Sequence, residues 1–186
     1  MDDITDITGT FRLGPDSGRV VIKTGRAGLA ARAGHDLTIE VTHWSATVKV
    51  PDDGVAAAEV AAELDLGSLA VLEGTGGAKP LSDKDRRDIL NTAGKILGRG
   101  TARFTSSRII PAASGGAIEG TLTLNGSTSP ARLQVVSRGP GQYRGTATVR
   151  QTDYGITPYS GFFGALKLKD DVTVEVEADL TRAARE

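Results

Sequence analysis

The chain has 186 residues and a net charge of -1, a length that fits one domain of ordinary size. Acids and bases are interspersed, so the charge of the whole chain offers no footprint for nucleic acid or an anionic membrane surface. Cysteine is absent, which excludes disulfides, thiol nucleophiles and Cys-ligated metals.

The first residues, MDDITDITGT, have neither a basic n-region nor an apolar h-region, so a cytoplasmic location is expected. No stretch approaches the roughly 20 apolar residues of a membrane span, and stable membrane insertion is not expected. From there the dominant period is two. Short strands are expected at Thr10–Leu13 and Arg19–Thr24, separated by the turn Pro15-Asp16-Ser17-Gly18. Leu37, Ile39 and Val41 then alternate with Thr38, Glu40 and Thr42. At His43–Trp44 the phase flips, and Trp44, Ala46, Val48 and Val50 become the apolar set. A one-residue flip predicts a bulge or bend within one long strand. Asp52-Asp53-Gly54 ends that run, and Val60, Ala62, Leu64 and Leu66 form the next apolar face.

Gly74 to Pro80 reads as a flexible linker. It superficially suggests a phosphate loop but lacks the Gly-Lys-Ser/Thr ending and a parallel βαβ setting. Residues 82–97 read as one amphipathic helix. Ser82 is the N-cap, Asp83 and Asp85 lie in the first turn, and Gly98 is the C-cap. Ile89, Leu90, Ala93, Ile96 and Leu97 share a face. This stripe must rest on something apolar, such as the end or wall of a barrel.

Further strands are expected at Ala102–Ile109, at Ile118–Leu124, at Arg132–Arg138, and in the run holding Tyr143, Gly145, Ala147 and Val149. Asn125-Gly126 is a strong hairpin signal, and Gly139-Pro140-Gly141 marks the next turn. The clearest alternation closes the chain: Val172, Val174, Val176, Ala178 and Leu180 against Thr173, Glu175, Glu177 and Asp179. Between these runs, Gln151 to Asp171 is long for a connection and carries half of the chain's aromatic residues, Tyr154, Tyr159, Phe162 and Phe163. Such a loop is functional or packs as a lid.

Together these runs predict a mainly β fold, an antiparallel barrel of roughly eight strands with one helix. One domain over 9–181 is flanked by tails at 1–8 and 182–186. A barrel of this size holds one small ligand or is filled by side chains. The small inward residues Ala62, Gly120, Gly145, Ala147 and Ala178 would leave volume inside it. The only histidines are His35 and His43. A straight strand would separate them by roughly 26 Å at about 3.3 Å per residue, so no metal site is expected. No nucleophile elbow is present, and a surface ion pair is expected between Arg150 and Asp153. His35, where a strand begins, reads either as a hydrogen-bonded structural residue or as a polar group at a pocket mouth.

Several pieces, in order and spacing, resemble the YceI-like family of polyisoprenoid-binding, lipocalin-like proteins. They are Leu13-Gly14-Pro15-Asp16-Ser17-Gly18-Arg19-Val20, Gly34-His35-Asp36-Leu37 and Ser45-Ala46-Thr47-Val48. Later come Arg87-Asp88-Ile89-Leu90, Ala102-Arg103-Phe104-Thr105-Ser106 and the run from Ile118 to Gly126. Arg150-Gln151-Thr152-Asp153-Tyr154-Gly155-Ile156 and Lys169-Asp170-Asp171-Val172 complete the set. The resemblance covers about residues 9–181. It departs in the helix, where Ile89 takes the place usually held by a His and Lys95-Ile96 replaces an aromatic pair. It implies a lipocalin-like barrel that binds a long isoprenoid such as a polyprenyl lipid or quinone, with homodimers common.

The expected function is a non-catalytic carrier of such a lipid, with no cofactor and no nucleic-acid partner. The alternative is a ligand-free barrel serving as a stress-related or protein-interaction module. Candidate lining residues are Leu37, Ile39, Trp44, Leu90, Phe104, Leu122, Tyr154, Phe162, Phe163 and Leu166. His35 and Tyr154 are the candidate anchors for a head group.

Overall fold

The computed structural model describes residues 7–186, apart from the side chain of Phe162. Most of the N-terminal tail therefore lies outside the described residues. The first strands are β1 (Gly9–Leu13), β2 (Gly18–Lys23), β3 (Arg26–Ala27), β4 (Asp36–Val41), β5 (Trp44–Val50), β6 (Glu59–Asp65) and β7 (Leu69–Thr75). The helix α1 (Asp83–Leu97) follows, then β8 (Thr101–Ala112), β9 (Gly115–Leu124), β10 (Ser127–Gly139) and β11 (Gln142–Arg150). The chain ends with β12 (Ser160–Gly161), β13 (Leu166–Leu168), β14 (Asp171–Asp179) and β15 (Ala184–Arg185).

Twelve strands form one antiparallel sheet in the order β15-β1-β5-β6-β8-β9-β10-β11-β14-β2-β4-β7. The sheet must curl. In a flat sheet the eight strand spacings from β1 to β2, at about 4.8 Å each, would separate them by about 38 Å. The four-residue link Gly14–Ser17 reaches at most about 18 Å. The link from β4 to β5 is shorter still, Thr42-His43 alone, yet it joins strands at opposite flanks of the sheet. Covalent links thus hold the two flanks together, and the result is barrel-like although β15 and β7 remain edges. Ser17 fixes the first link: its Oγ accepts from the Gly14 N–H at 3.0 Å, and its carbonyl accepts from the Asp179 N–H at 2.8 Å.

Where the flanks meet, Leu13, Val20, Val41 and Trp44 form a buried cluster. Gly18 is required there. A Cβ on it would overlap the Glu177 carbonyl and approach the Trp44 ring to 3.2 Å. The His43–Trp44 phase flip therefore marks neither a bulge nor a bend within one strand. It is a corner between two strands with different partners, β4 beside β2 and β7, and β5 beside β1 and β6.

The strand count exceeds the expected eight. The alternating runs all fall in the sheet, and two strands join that patterning does not reveal. Within β7, Leu69-Ala70-Val71-Leu72 does not alternate, because Leu72 is an extra residue at a register shift opposite Thr38 and Ile39. The bulge turns Leu72 outward. The expected C-terminal tail supplies β15, whose Arg185 pairs with Phe11 and lies 4.8 Å from its ring centre. Arg12 and Glu186 form an ion pair beside it.

The helix follows its sequence signals. The Ser82 hydroxyl accepts from the Asp85 N–H, and the Asp85 carboxylate accepts from the Ser82 N–H at 2.8 Å, a closed capping box. Gly98 ends it at φ 70°. Asn125 and Gly126, at φ 53° and 75°, make the tight turn between β9 and β10. Arg150 pairs across the sheet with Asp171 at 3.2 Å instead of with Asp153. Asp171 is its direct cross-strand neighbour, whereas Asp153 sits in the following 3-10 turn.

Candidate functional site

The inward faces of the strands enclose a cavity of about 930 Å³, at the upper end of the range for small-molecule sites. Its wall runs the length of the barrel. Val172, Val174, Val176, Ala178 and Leu180 all line it. The nine-residue β14 spans about 30 Å at about 3.3 Å per residue, so the space is elongated. One end is bounded by Ile109, Ile110, Val135 and Tyr143, and the other by α1, the loop before it and the segments around β3 and β13. Inward residues such as Leu64, Phe104, Leu122 and Val174 are only half-buried, because they face open space instead of one another.

The inward small residues divide into two kinds. Ala46, Ala62, Ala147 and Ala178 leave volume along the wall. Gly120 and Gly145 do not. A Cβ at Gly120 would overlap the Thr105 carbonyl and lie 2.8 Å from the Phe104 ring, and one at Gly145 would lie 2.8 Å from Leu133. These glycines permit close approach, of a neighbouring strand and the Phe104 ring at Gly120 and of Leu133 at Gly145.

Polar groups gather at the helix end: Thr24, Arg26, His35, Lys79, Asp85, Asp88, Gln151 and Tyr159. Arg26 is already engaged. Its Nε donates to Asp36 at 3.1 Å, and its Nη1 donates to the carbonyls of Gly34 at 2.6 Å and Ala31 at 3.2 Å. The His35 Nε2 lies 2.6 Å from the Lys79 carbonyl oxygen. A carbonyl only accepts, so Nε2 carries a proton at this contact, and the Nε2–H tautomer presents Nδ1 as an acceptor. The glycine-rich stretch read as a linker folds over both residues. A Cβ at Gly76 would overlap the Arg26 guanidinium, and one at Gly77 would overlap the His35 ring. Those close approaches explain a glycine run that the sequence leaves without a role.

The structure brings His35, Leu37, Ile39, Trp44, Phe104, Leu122 and Leu166 to the cavity wall. Leu90 is not part of it. It packs on Leu37, Ile39 and Val71 in the contact between α1 and the sheet, while Ile89, Ala93 and Ile96 face the cavity. Tyr154, a candidate head-group anchor, lies outside the wall, 2 % exposed in a cluster with Leu66, Leu124, Val149 and Ile156. Burial there pushes its phenol pKa upward, with Asp153 adding to the effect. Phe163 is fully exposed at 112 %, and the side chain of Phe162 lies outside the described residues. Sequence patterning does not reveal that the loop residues Lys79 and Leu81 reach the site; no apolar period runs through that stretch. The aromatic segment is neither an open loop nor a plain connection. It forms a 3-10 turn at Gln151–Tyr154 and then the small sheet β12-β13-β3 at the cavity's polar end.

Among the described residues, no helix is long and apolar enough to cross a membrane. A curled antiparallel sheet around an elongated apolar cavity, with a helix and a small sheet at one end, defines a lipocalin-like β-barrel protein. The chain belongs to the YceI-like family, whose domain model matches residues 8–180. Among solved structures it is similar to BcnA of Burkholderia cenocepacia, with a TM-score of 0.59 at 16 % identity over 86 % of this chain and 94 % of that one. It is likewise similar to the Campylobacter jejuni YceI protein, with a TM-score of 0.53 at 13 % identity over 80 % of this chain and 84 % of the other. At such identities the likeness concerns the fold. No curated protein matches the chain significantly.

Proposed function

We propose that this protein is a non-catalytic carrier that holds one apolar, chain-like lipid of isoprenoid type, polyprenyl or quinone-like, inside the barrel. The observation that carries this reading is the elongated cavity of about 930 Å³ with an aliphatic wall and polar groups at one end. The YceI-like fold is of a binding type known for polyisoprenoids, which agrees with that shape. Burial contributes roughly 25 cal/mol per Å² of apolar surface, so an extended chain gains affinity without many polar contacts. His35, at the wall with Nδ1 available as an acceptor, is the anchor for a head-group hydroxyl. A barrel filled by its own side chains, which would suit a purely protein-interacting module, would not leave this volume.

Trp44, the only tryptophan, lies on the cavity wall and serves as the reporter. Titrating delipidated protein with a long-chain prenylated quinone, which quenches indole emission on contact, is expected to give saturable quenching with one ligand per chain. Linear quenching equal to that of free N-acetyltryptophanamide would overturn the reading.

A further inference from the structure

The small sheet at the cavity's polar end has two sides. Its inner face, with Ala33, Gly34, Leu166 and Leu168, lines the cavity. On its other side Lys167 points away from the cavity, and the loops beside the sheet expose two large apolar side chains to solvent, Leu29 at 101 % and Phe163 at 112 % exposure. They come from adjacent loops. β3 pairs with β13 through Ala27 and Lys167, and the Ala30 N–H donates to the Ala165 carbonyl at 2.9 Å.

Phe163 holds its exposed position at φ 55°, a left-handed backbone that is costly for a bulky residue. An aromatic ring displayed in water on a strained backbone is doubly unfavourable for the isolated fold, a combination that points to function.

Within the two segments that carry these side chains the charge is one-sided. Residues 25–35 and 155–169 carry Arg26, Arg32, Lys167 and Lys169 and no acid. Arg32, Lys167 and Lys169 are exposed. Ion pairs among the described residues engage Arg26, through Asp36, but none of these three. Of the acids that border the two segments, Asp36 pairs with Arg26, whereas Asp170 keeps its charge and accepts from the neutral Thr152, so the four cations outnumber the two bordering acids. In a chain of net charge -1, pairing β3 with β13 gathers a local cationic surface around two apolar side chains.

We propose that this outer face docks on the surface of an anionic lipid bilayer, with Leu29 and Phe163 entering the headgroup–acyl boundary and Arg32, Lys167 and Lys169 contacting lipid headgroups. Apolar insertion and cationic contact are the two signals that together give reversible peripheral attachment. The docking rests on this surface alone. Direct passage of cargo from bilayer to barrel would additionally require the lipid-carrier reading.

The test is co-flotation of the full chain with vesicles of phosphatidylcholine alone and of equal parts phosphatidylcholine and phosphatidylglycerol. Binding is expected to the anionic vesicles and to fall with added salt. Arg32→Glu/Lys167→Glu should remove the anionic preference, each neutralised cation alone accounting for about fivefold. Leu29→Ser/Phe163→Asn should weaken binding at least about tenfold. Asn tolerates the left-handed backbone, so the thermal midpoint should be held or raised, which separates lost docking from lost fold.

Failure of the parent chain to float with anionic vesicles, or equal flotation of the variants, would overturn the proposal. So would a dimer in light scattering that dissociates on Leu29→Ser/Phe163→Asn, because the patch would then be a contact between copies. The Trp44 titration needs no vesicles, so the carrier reading stands or falls separately.

Discussion

Replacing Ala147 with Phe tests whether the interior is open. Ala147 lies on β11 opposite Val174, and both face the cavity. In a close-packed core, adding a phenyl ring forces off-rotamer neighbours and costs about 1–3 kcal/mol. For a chain of this size that cost lowers the thermal midpoint by roughly 2–4 °C per kcal/mol. Here the ring enters a space of about 930 Å³ and takes apolar surface out of water, a gain of about 1.5–3 kcal/mol if burial is complete. The ligand-free variant is therefore expected to match or exceed the parent in scanning calorimetry. At the same time its capacity for a long prenylated quinone should fall, and Ala46→Phe on the facing flank should compound that loss. A midpoint lowered by several degrees in Ala147→Phe, with binding unchanged, would show instead that the interior is already filled.

Gly18→Ala should destabilise the protein by about 1–3 kcal/mol in urea denaturation, because its Cβ meets the Glu177 carbonyl and the Trp44 ring. A red shift of Trp44 emission should accompany the loss. Tyr154→Phe should leave ligand affinity unchanged, since Tyr154 is outside the cavity wall. Tyr154→Ala should instead cost about 3–5 kcal/mol of stability, and a selective loss of binding in Tyr154→Phe would return Tyr154 to the site.

Glu175 is partly desolvated on the sheet, which alone would raise its pKa. Hydrogen bonds from Lys23 and Arg144 outweigh this and hold its carboxylate below the usual range. A depressed folded-state pKa gives stability that is present above the unfolded value and is lost as pH falls through the folded one. Glu175→Gln should therefore cost about 1 kcal/mol at neutral pH, and the difference should vanish well below the unfolded pKa of about 4.3. Urea titrations at the two extremes check it, and a pH-independent difference would contradict it.

The sheet was legible wherever one face is buried and the other wet. Val172 to Leu180, Leu37 to Val41 and the strands around Asn125-Gly126 announce themselves by alternation and turn chemistry, and α1 by its cap residues and apolar stripe. β7 stayed hidden because the bulge at Leu72 breaks its period, and β15 because two residues carry no period at all. The His43–Trp44 flip was visible, but alternation reports only which face a residue takes, not which strand lies beside it. A corner and a bulge look alike for that reason. Apolar cavity residues were legible as inward-facing, whereas Tyr154 and Leu90 show that an apolar or aromatic side chain pointing inward can belong to packing clusters beside the cavity. The cationic surface at the cavity's polar end could not be seen in whole-chain charge. It arises only when residues 25–35 and 155–169, far apart in sequence, are joined by the pairing of β3 with β13.

The most direct test of the carrier account is native mass spectrometry of protein purified from an isoprenoid-producing host, before and after extraction with organic solvent. A carrier should show one apolar compound per chain, removed by extraction and restored when the stripped protein is incubated with a long-chain polyprenyl lipid or quinone. A bare polypeptide mass from the outset that no such lipid shifts would contradict it.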